Sequence, residues 1–124
     1  MARGIGNDNA LMFRSACPVA SFLDIIGDKW TLLVIRDLFA GARRYNEFLA
    51  GPERITTNIL ADRLKLLEAE GLISRTPYQQ NPLRYEYALT EKGRAIKPVL
   101  QAVCDWSQAW LPDRGARVAS RPES

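Results

Sequence analysis

Apolar residues recur along this chain at two different periods, and the switch between them near Gly71 separates a set of helices from a hairpin. Val19, Phe22, Leu23 and Ile26 repeat at helical spacing after Pro18, a residue suited to a first helical turn, and Gly27 ends the run. Asp28 is placed to cap a second helix. Its Trp30, Leu33, Val34 and Leu38 form an apolar stripe with Ile35 and Phe39 on the flank, so it is expected at the centre of the core. A basic connection at 41–44 leads to a short helix at 45–49, which Gly51-Pro52 breaks. Leu60, Leu64 and Leu67 then define the apolar edge of a helix over 57–70, with Thr56 or Thr57 as its N-cap and Gly71 as its stop.

Beyond Gly71 the period falls to two. Tyr85, Tyr87 and Leu89 alternate with Arg84, Glu86 and Ala88, and turn residues at 79–82 join two short strands into a hairpin with one packed face. Thr90 is expected to cap a single long helix carrying Ile96, Val99, Leu100, Val103, Trp106 and Trp110 at three-and-four spacing, kinked at Pro98. That many large apolar groups exceed what one small core needs. The last helix therefore reads as a dimer helix, with the first helix as second contributor, and Phe22, Trp106 and Trp110 are placed to line a ligand surface there. The predicted fold class is α+β, mainly α: a winged helix-turn-helix with extra N- and C-terminal dimerisation helices. It occupies 15–111, between a flexible arm at 1–14 and a Pro-, Arg-, Gly- and Ser-rich tail at 112–124 that is expected to be disordered.

Composition narrows the function. The chain has 124 residues, 17 Lys+Arg against 14 Asp+Glu, and no His. A net charge of +3 permits nucleic-acid binding without requiring it. Without His, and with Cys17 and Cys104 as its only thiols, the chain offers no ordinary zinc site or Ser-His-Asp triad, so neither a metal, a cofactor nor an enzymatic activity is expected. No apolar run approaches membrane-spanning length and no signal-type segment begins the chain, which points to a cytoplasmic protein with reduced thiols.

The helix over 57–70 carries the candidate chemistry. Thr56, Thr57, Asn58 and Ala61 lie near its first turn, where side chains reach base edges, and an Asn amide matches the N6 and N7 pair of adenine. Lys65 reaches a base edge or a phosphate, and Asp62 suits DNA only as an acceptor from cytosine. All of these also suit a merely solvated helix face. Arg43 and Arg44 precede the first arm of the motif and can clamp a phosphate, or pair with Glu47 or Asp37. Arg84 on the wing can reach the minor groove or pair across the hairpin, whereas Tyr85 and Tyr87 read as packing residues. Cys17 stands just before Pro18, where helix-terminal N–H groups favour a thiolate; the other reading is a small buried residue, as for Cys104. The alternative to a DNA reader is a winged-helix module that docks another protein, since fold does not fix function.

C-P-V-A at 17–20, I-G-D-K-W-T-L-L-V-I-R-D-L at 26–38, R-R-Y-N-E-F at 43–48, I-T-T-N-I-L-A-D-R-L-K-L-L-E at 55–68, G-L-I-S-R at 71–75 and R-Y-E-Y-A-L-T-E-K-G-R at 84–94 together resemble the HxlR family of bacterial transcription regulators. The resemblance spans about 17–111. It implies a homodimer joined through the first and last helices, with the 57–70 helix in the major groove of double-stranded DNA, acting as a one-component repressor or activator. It further implies a candidate sensor at Cys17, because some members use a cysteine at the C-P position to sense quinones, aldehydes or oxidants. The chain departs from the family pattern at Asp28, where a second Gly is frequent, at Asn58, where a basic residue is common, and at residues 80–83 of the wing.

Overall fold

The computed structural model describes residues 15–112, so the arm expected at 1–14 and nearly all of the expected tail lie outside the described residues. Its elements run α1 (Pro18–Ile26), α2 (Thr31–Phe39), α3 (Tyr45–Leu49), α4 (Thr57–Ala69), β1 (Ile73–Gln80), β2 (Leu83–Leu89), α5 (Glu91–Arg94) and α6 (Lys97–Trp110). The architecture is mainly helical with one small antiparallel hairpin, the layout of a winged helix-turn-helix.

The core is built where the apolar stripes of α2, α3 and α4 converge on the base of the hairpin. Val34, Ile35, Phe48, Leu60, Leu64, Leu67, Leu72, Ile73 and Tyr87 are all buried there. Ile35, expected on the flank of α2, is wholly buried, while Leu33 and Trp30 remain half-buried. The reason is that α2 packs against both α4 and β2, which widens its buried face beyond a single stripe. Gly71, at φ 77°, ends α4: its N–H donates to the Glu68 carbonyl at 3.0 Å and that of Leu72 to the Leu67 carbonyl at 2.9 Å.

Thr90 does cap a helix, but only one turn of it. Its hydroxyl accepts from the Gly93 N–H at 3.1 Å, α5 stops at Arg94, and α6 starts afresh at Lys97. Pro98 is thus a first-turn residue of a new helix and not a kink within a long one. A continuous helix would need an N–H at residue 98 and would press its ring on the Arg94 carbonyl. Gly93 lies so close to the preceding loop that a Cβ there would sit 2.1 Å from the Leu72 carbonyl oxygen.

Candidate nucleic-acid interface

The N-cap of α4 is Thr56, whose hydroxyl accepts from the Ile59 N–H at 3.3 Å. This start leaves Thr56, Thr57 and Asn58 exposed in and beside the first turn, with Lys65 exposed further along and Ala61 half-buried between them. Leu60, Leu64 and Leu67 turn the other way into the core. Asn58, Ala61 and Lys65 follow one another at three-and-four spacing, so they form a continuous strip. Asp62 is exposed beside it and ion-pairs with Arg63.

The junction of α3 with the wing holds the two arginines. Glu47 folds back so that its Oε1 accepts from the N–H groups of Arg43 and Arg44 at 2.6 and 3.0 Å, and these two bonds hold its carboxyl below the usual carboxylate range. The predicted partner Glu47 is therefore engaged by backbone, and neither guanidinium pairs with it. Arg43 instead exchanges bonds with β2: the Tyr87 N–H donates to its carbonyl at 2.8 Å, and its Nη1 donates to the Tyr87 carbonyl at 3.3 Å. Arg44 reaches Glu86 at 3.2 Å and stacks on Tyr78, 3.6 Å from the ring centre. The hairpin register shifts between Pro77 and Gln79, leaving Tyr78 as the extra residue of a bulge, which re-aims its ring. Arg75 is likewise occupied, by Glu68 at 3.3 Å and by the Tyr85 ring at 4.1 Å. Arg84 is exposed near the wing tip and, like Lys65, has no ion pair among the described residues. A cleft of about 590 Å³ between α3 and the wing is lined by Arg44, Asn46, Tyr78 and Arg84.

Two ion-pair systems fix the motif from behind. Arg36 of α2 donates to both oxygens of Glu53 at 2.8 and 2.9 Å, and also to Asp37, so the turn between α3 and α4 is tied to α2. In the same turn Arg54 adopts φ 63°. The helix α2 starts later than expected, at Thr31 with Trp30 in the N-cap position, and Asp28 serves its start from the preceding turn, accepting from the Trp30 and Thr31 N–H groups and also taking the Arg63 guanidinium of α4 at 2.8 Å. Arg63, Tyr78, Glu86 and Glu53 carry no local sequence signal for these roles, because each partner lies on a different element.

Away from this face, Cys17 is exposed at the N-terminus of α1, where the N–H groups of Ala20 and Val19 hold its thiol below the ordinary value. Cys104 lies half-buried on α6. Val19, Leu23, Val99, Val103, Trp106 and Trp110 are exposed, with Trp110 at 71%. Phe22 and Ile96, predicted for the same outer surface, pack against the core of their own chain instead, and Leu100 is half-buried. No helix among the described residues is long and apolar enough to cross a membrane, and no group of three potential ligands there could hold a metal ion.

A family model described as HxlR-like helix-turn-helix matches residues 25–114. The HTH-type transcriptional regulator YdeP of Bacillus subtilis (strain 168) is 39% identical over 108 residues, 87% of this chain and 84% of YdeP. Among solved structures, the redox regulator HypR in its oxidized form is similar at a TM-score of 0.67 and 38% identity, covering 75% of this chain and 96% of HypR. The reduced form of the transcriptional regulator YodB from B. subtilis is similar at a TM-score of 0.64 and 32% identity, covering 77% of this chain and 94% of YodB.

Proposed function

Because the chain belongs to the HxlR-like helix-turn-helix family, whose members are transcription regulators and not enzymes, we propose that it reads double-stranded DNA sequence-specifically as a homodimer in the cytoplasm. The observation that carries this reading is the exposed strip on α4 beside the wing. In it Thr56, Thr57, Asn58 and Ala61 address base edges, Asn58 offering its amide to an adenine, and Lys65 adds a cation further along. Arg43, Arg44 and Arg84 are exposed, Arg44 and Arg84 in the cleft between α3 and the wing, and in this reading they meet phosphates, with Arg84 following the wing toward the minor groove. A protein-docking face would centre on an apolar patch depleted of lysine, whereas Asn58, Ala61 and Lys65 make this strip polar.

The exposed apolar residues of α1 and α6 support the second half of the reading. Trp106, Trp110, Val103 and Leu23 stand bare on one chain, which a second copy would cover. In such a dimer the two α4 helices lie about 34–36 Å apart, one turn of DNA. Cys17, exposed and with its thiol pKa lowered, is proposed as the switch through which an electrophile or oxidant changes operator affinity; the likeness to the redox regulator HypR supports it. The test is selection of duplexes from a random-sequence library by the purified protein, together with its mass in solution. A recurring palindromic site and a dimeric mass are expected. A monomer at micromolar concentration, or no enriched sequence, would contradict the reading.

A further inference from the structure

Asp28 does more than a helix cap requires. Its Oδ2 accepts from the Trp30 N–H at 2.9 Å and the Thr31 N–H at 3.1 Å, and its Oδ1 accepts from the Thr31 hydroxyl at 2.5 Å. These bonds all serve the start of α2. The same Oδ2 also accepts from Arg63 Nε at 2.8 Å, across a separation of 35 residues. Asp28 and Arg63 are 30% and 24% exposed at the side chain, so water screens the pair only in part. Behind it Thr31 is wholly buried, which fixes the carboxylate from the protein side.

The position of Arg63 on α4 gives this bond its consequence. At about 100° per residue, Arg63 lies on one shoulder of the apolar edge formed by Leu60, Leu64 and Leu67, and Ala61, Lys65 and Asn58 lie on the other. Apolar packing along a helix edge tolerates small rotation about the helix axis, whereas a directional bond on one shoulder does not. The far end of the bond is equally constrained: Gly27 ends α1 so tightly that a Cβ there would sit 2.2 Å from the Leu23 carbonyl oxygen, and Asp28 follows directly.

We propose that Asp28 and Arg63 form a latch that sets the roll of α4, and are thereby positioning residues for base reading by Asn58 and Ala61. The proposal rests on α4 being the DNA-reading helix. Arg63→Gln opens the latch and leaves the Asp28 bonds to α2 in place, and it is compared with Asp62→Asn, which removes only the other ion-pair partner of Arg63 and should leave discrimination between duplexes unchanged. On a duplex selected by the wild-type protein Arg63→Gln should lose about tenfold in affinity, with less than about twofold change on random-sequence duplex and an unaltered salt slope. Arg63→Lys, which keeps the charge and loses the Nε geometry, should behave the same way. In an Asp28→Asn background the added effect of Arg63→Gln should fall below about twofold, because the latch is already weakened. An Arg63 that instead touched phosphate would be rescued by Lys, would lower the salt slope and would act additively with Asp28→Asn; any of these results overturns the proposal. Should the wild-type protein select no duplex, the DNA-reading function itself fails. The latch is then judged by amide exchange in the free protein: Arg63→Gln should speed exchange along α4, and unchanged exchange overturns it.

Discussion

The guanidinium carbon of Arg44 lies over the Tyr78 ring, 3.6 Å from its centre, and the same group reaches Glu86 with an Nη2 to Oε2 distance of 3.2 Å. One side chain at the start of α3 thus touches both strands of the wing. Both members of the ion pair are more than a third exposed, so the pair is easily exchanged for a phosphate. Glu86→Gln should therefore raise affinity for duplexes of any sequence a few-fold, as about one phosphate contact becomes uncontested. Arg44→Ala should weaken binding on all sequences, lower the salt slope by about one per subunit and change stability by less than about 1 kcal/mol. Titration of a random-sequence duplex checks both. Weaker binding by Glu86→Gln would mean that Arg44 serves the wing alone.

Asn58→Ala removes an amide without touching the core, since Asn58 is exposed and Leu60 carries the packing. Discrimination should relax at one or two base pairs of the selected site, at a cost of about 1–3 kcal/mol, with little change on random DNA. Comparing selected sites of the two proteins reads this directly. An unchanged preference would move base reading to another face.

The parts of the fold that repeat locally could be read from the chain, and the parts that join distant elements could not. The apolar edge of α4, its stop at Gly71 and the alternation of β2 follow from period and turn chemistry, and the structure reproduces them. The break between α5 and α6 was concealed because Thr90 and Pro98 are both compatible with helix, and only the loss of the N–H at 98 decides between a kink and a restart. Phe22 and Ile96 share the spacing of the outward apolar residues, and their inward packing depends on how α1 and α6 meet the core. At the candidate site, the exposure of Thr57, Asn58 and Lys65 was legible from the stripe opposite them, whereas Arg63 with Asp28 and Arg44 with Glu86 required tertiary contacts between residues dozens of positions apart.

Asp28 links acidity to stability. Burial pushes its carboxyl up, but hydrogen bonds from Thr31, Trp30 and Arg63 outweigh that and hold it below the usual value. A depressed folded pKa contributes stability that is present above the unfolded value of about 3.9 and lost as pH falls through the lower folded one. Asp28→Ala should cost about 1–3 kcal/mol near neutral pH by removing the cap and stranding the buried Thr31 hydroxyl, and should shrink that acid-side loss. Denaturant unfolding of both proteins between about pH 2 and 7 measures it; parallel pH curves would remove Asp28 from this role.

Cys17 should react with a quinone or iodoacetamide faster than half-buried Cys104, and its rate should rise with pH around a midpoint below that of a free thiol, about 8.5. Modified protein should bind the selected duplex more weakly, and Cys17→Ser should bind it normally and ignore the reagent. A midpoint at the free-thiol value with unaltered binding after modification would leave Cys17 without a switching role.

The most direct test of a DNA-reading dimer is the affinity for the selected duplex between 50 and 200 mM salt. A dimer meeting roughly 6–10 phosphates should lose on the order of a thousandfold or more across that range, linearly in the logarithm of both quantities, while preferring the selected duplex to random DNA throughout. Affinity indifferent to salt, or equal for selected and random duplexes at every salt concentration, would contradict the account.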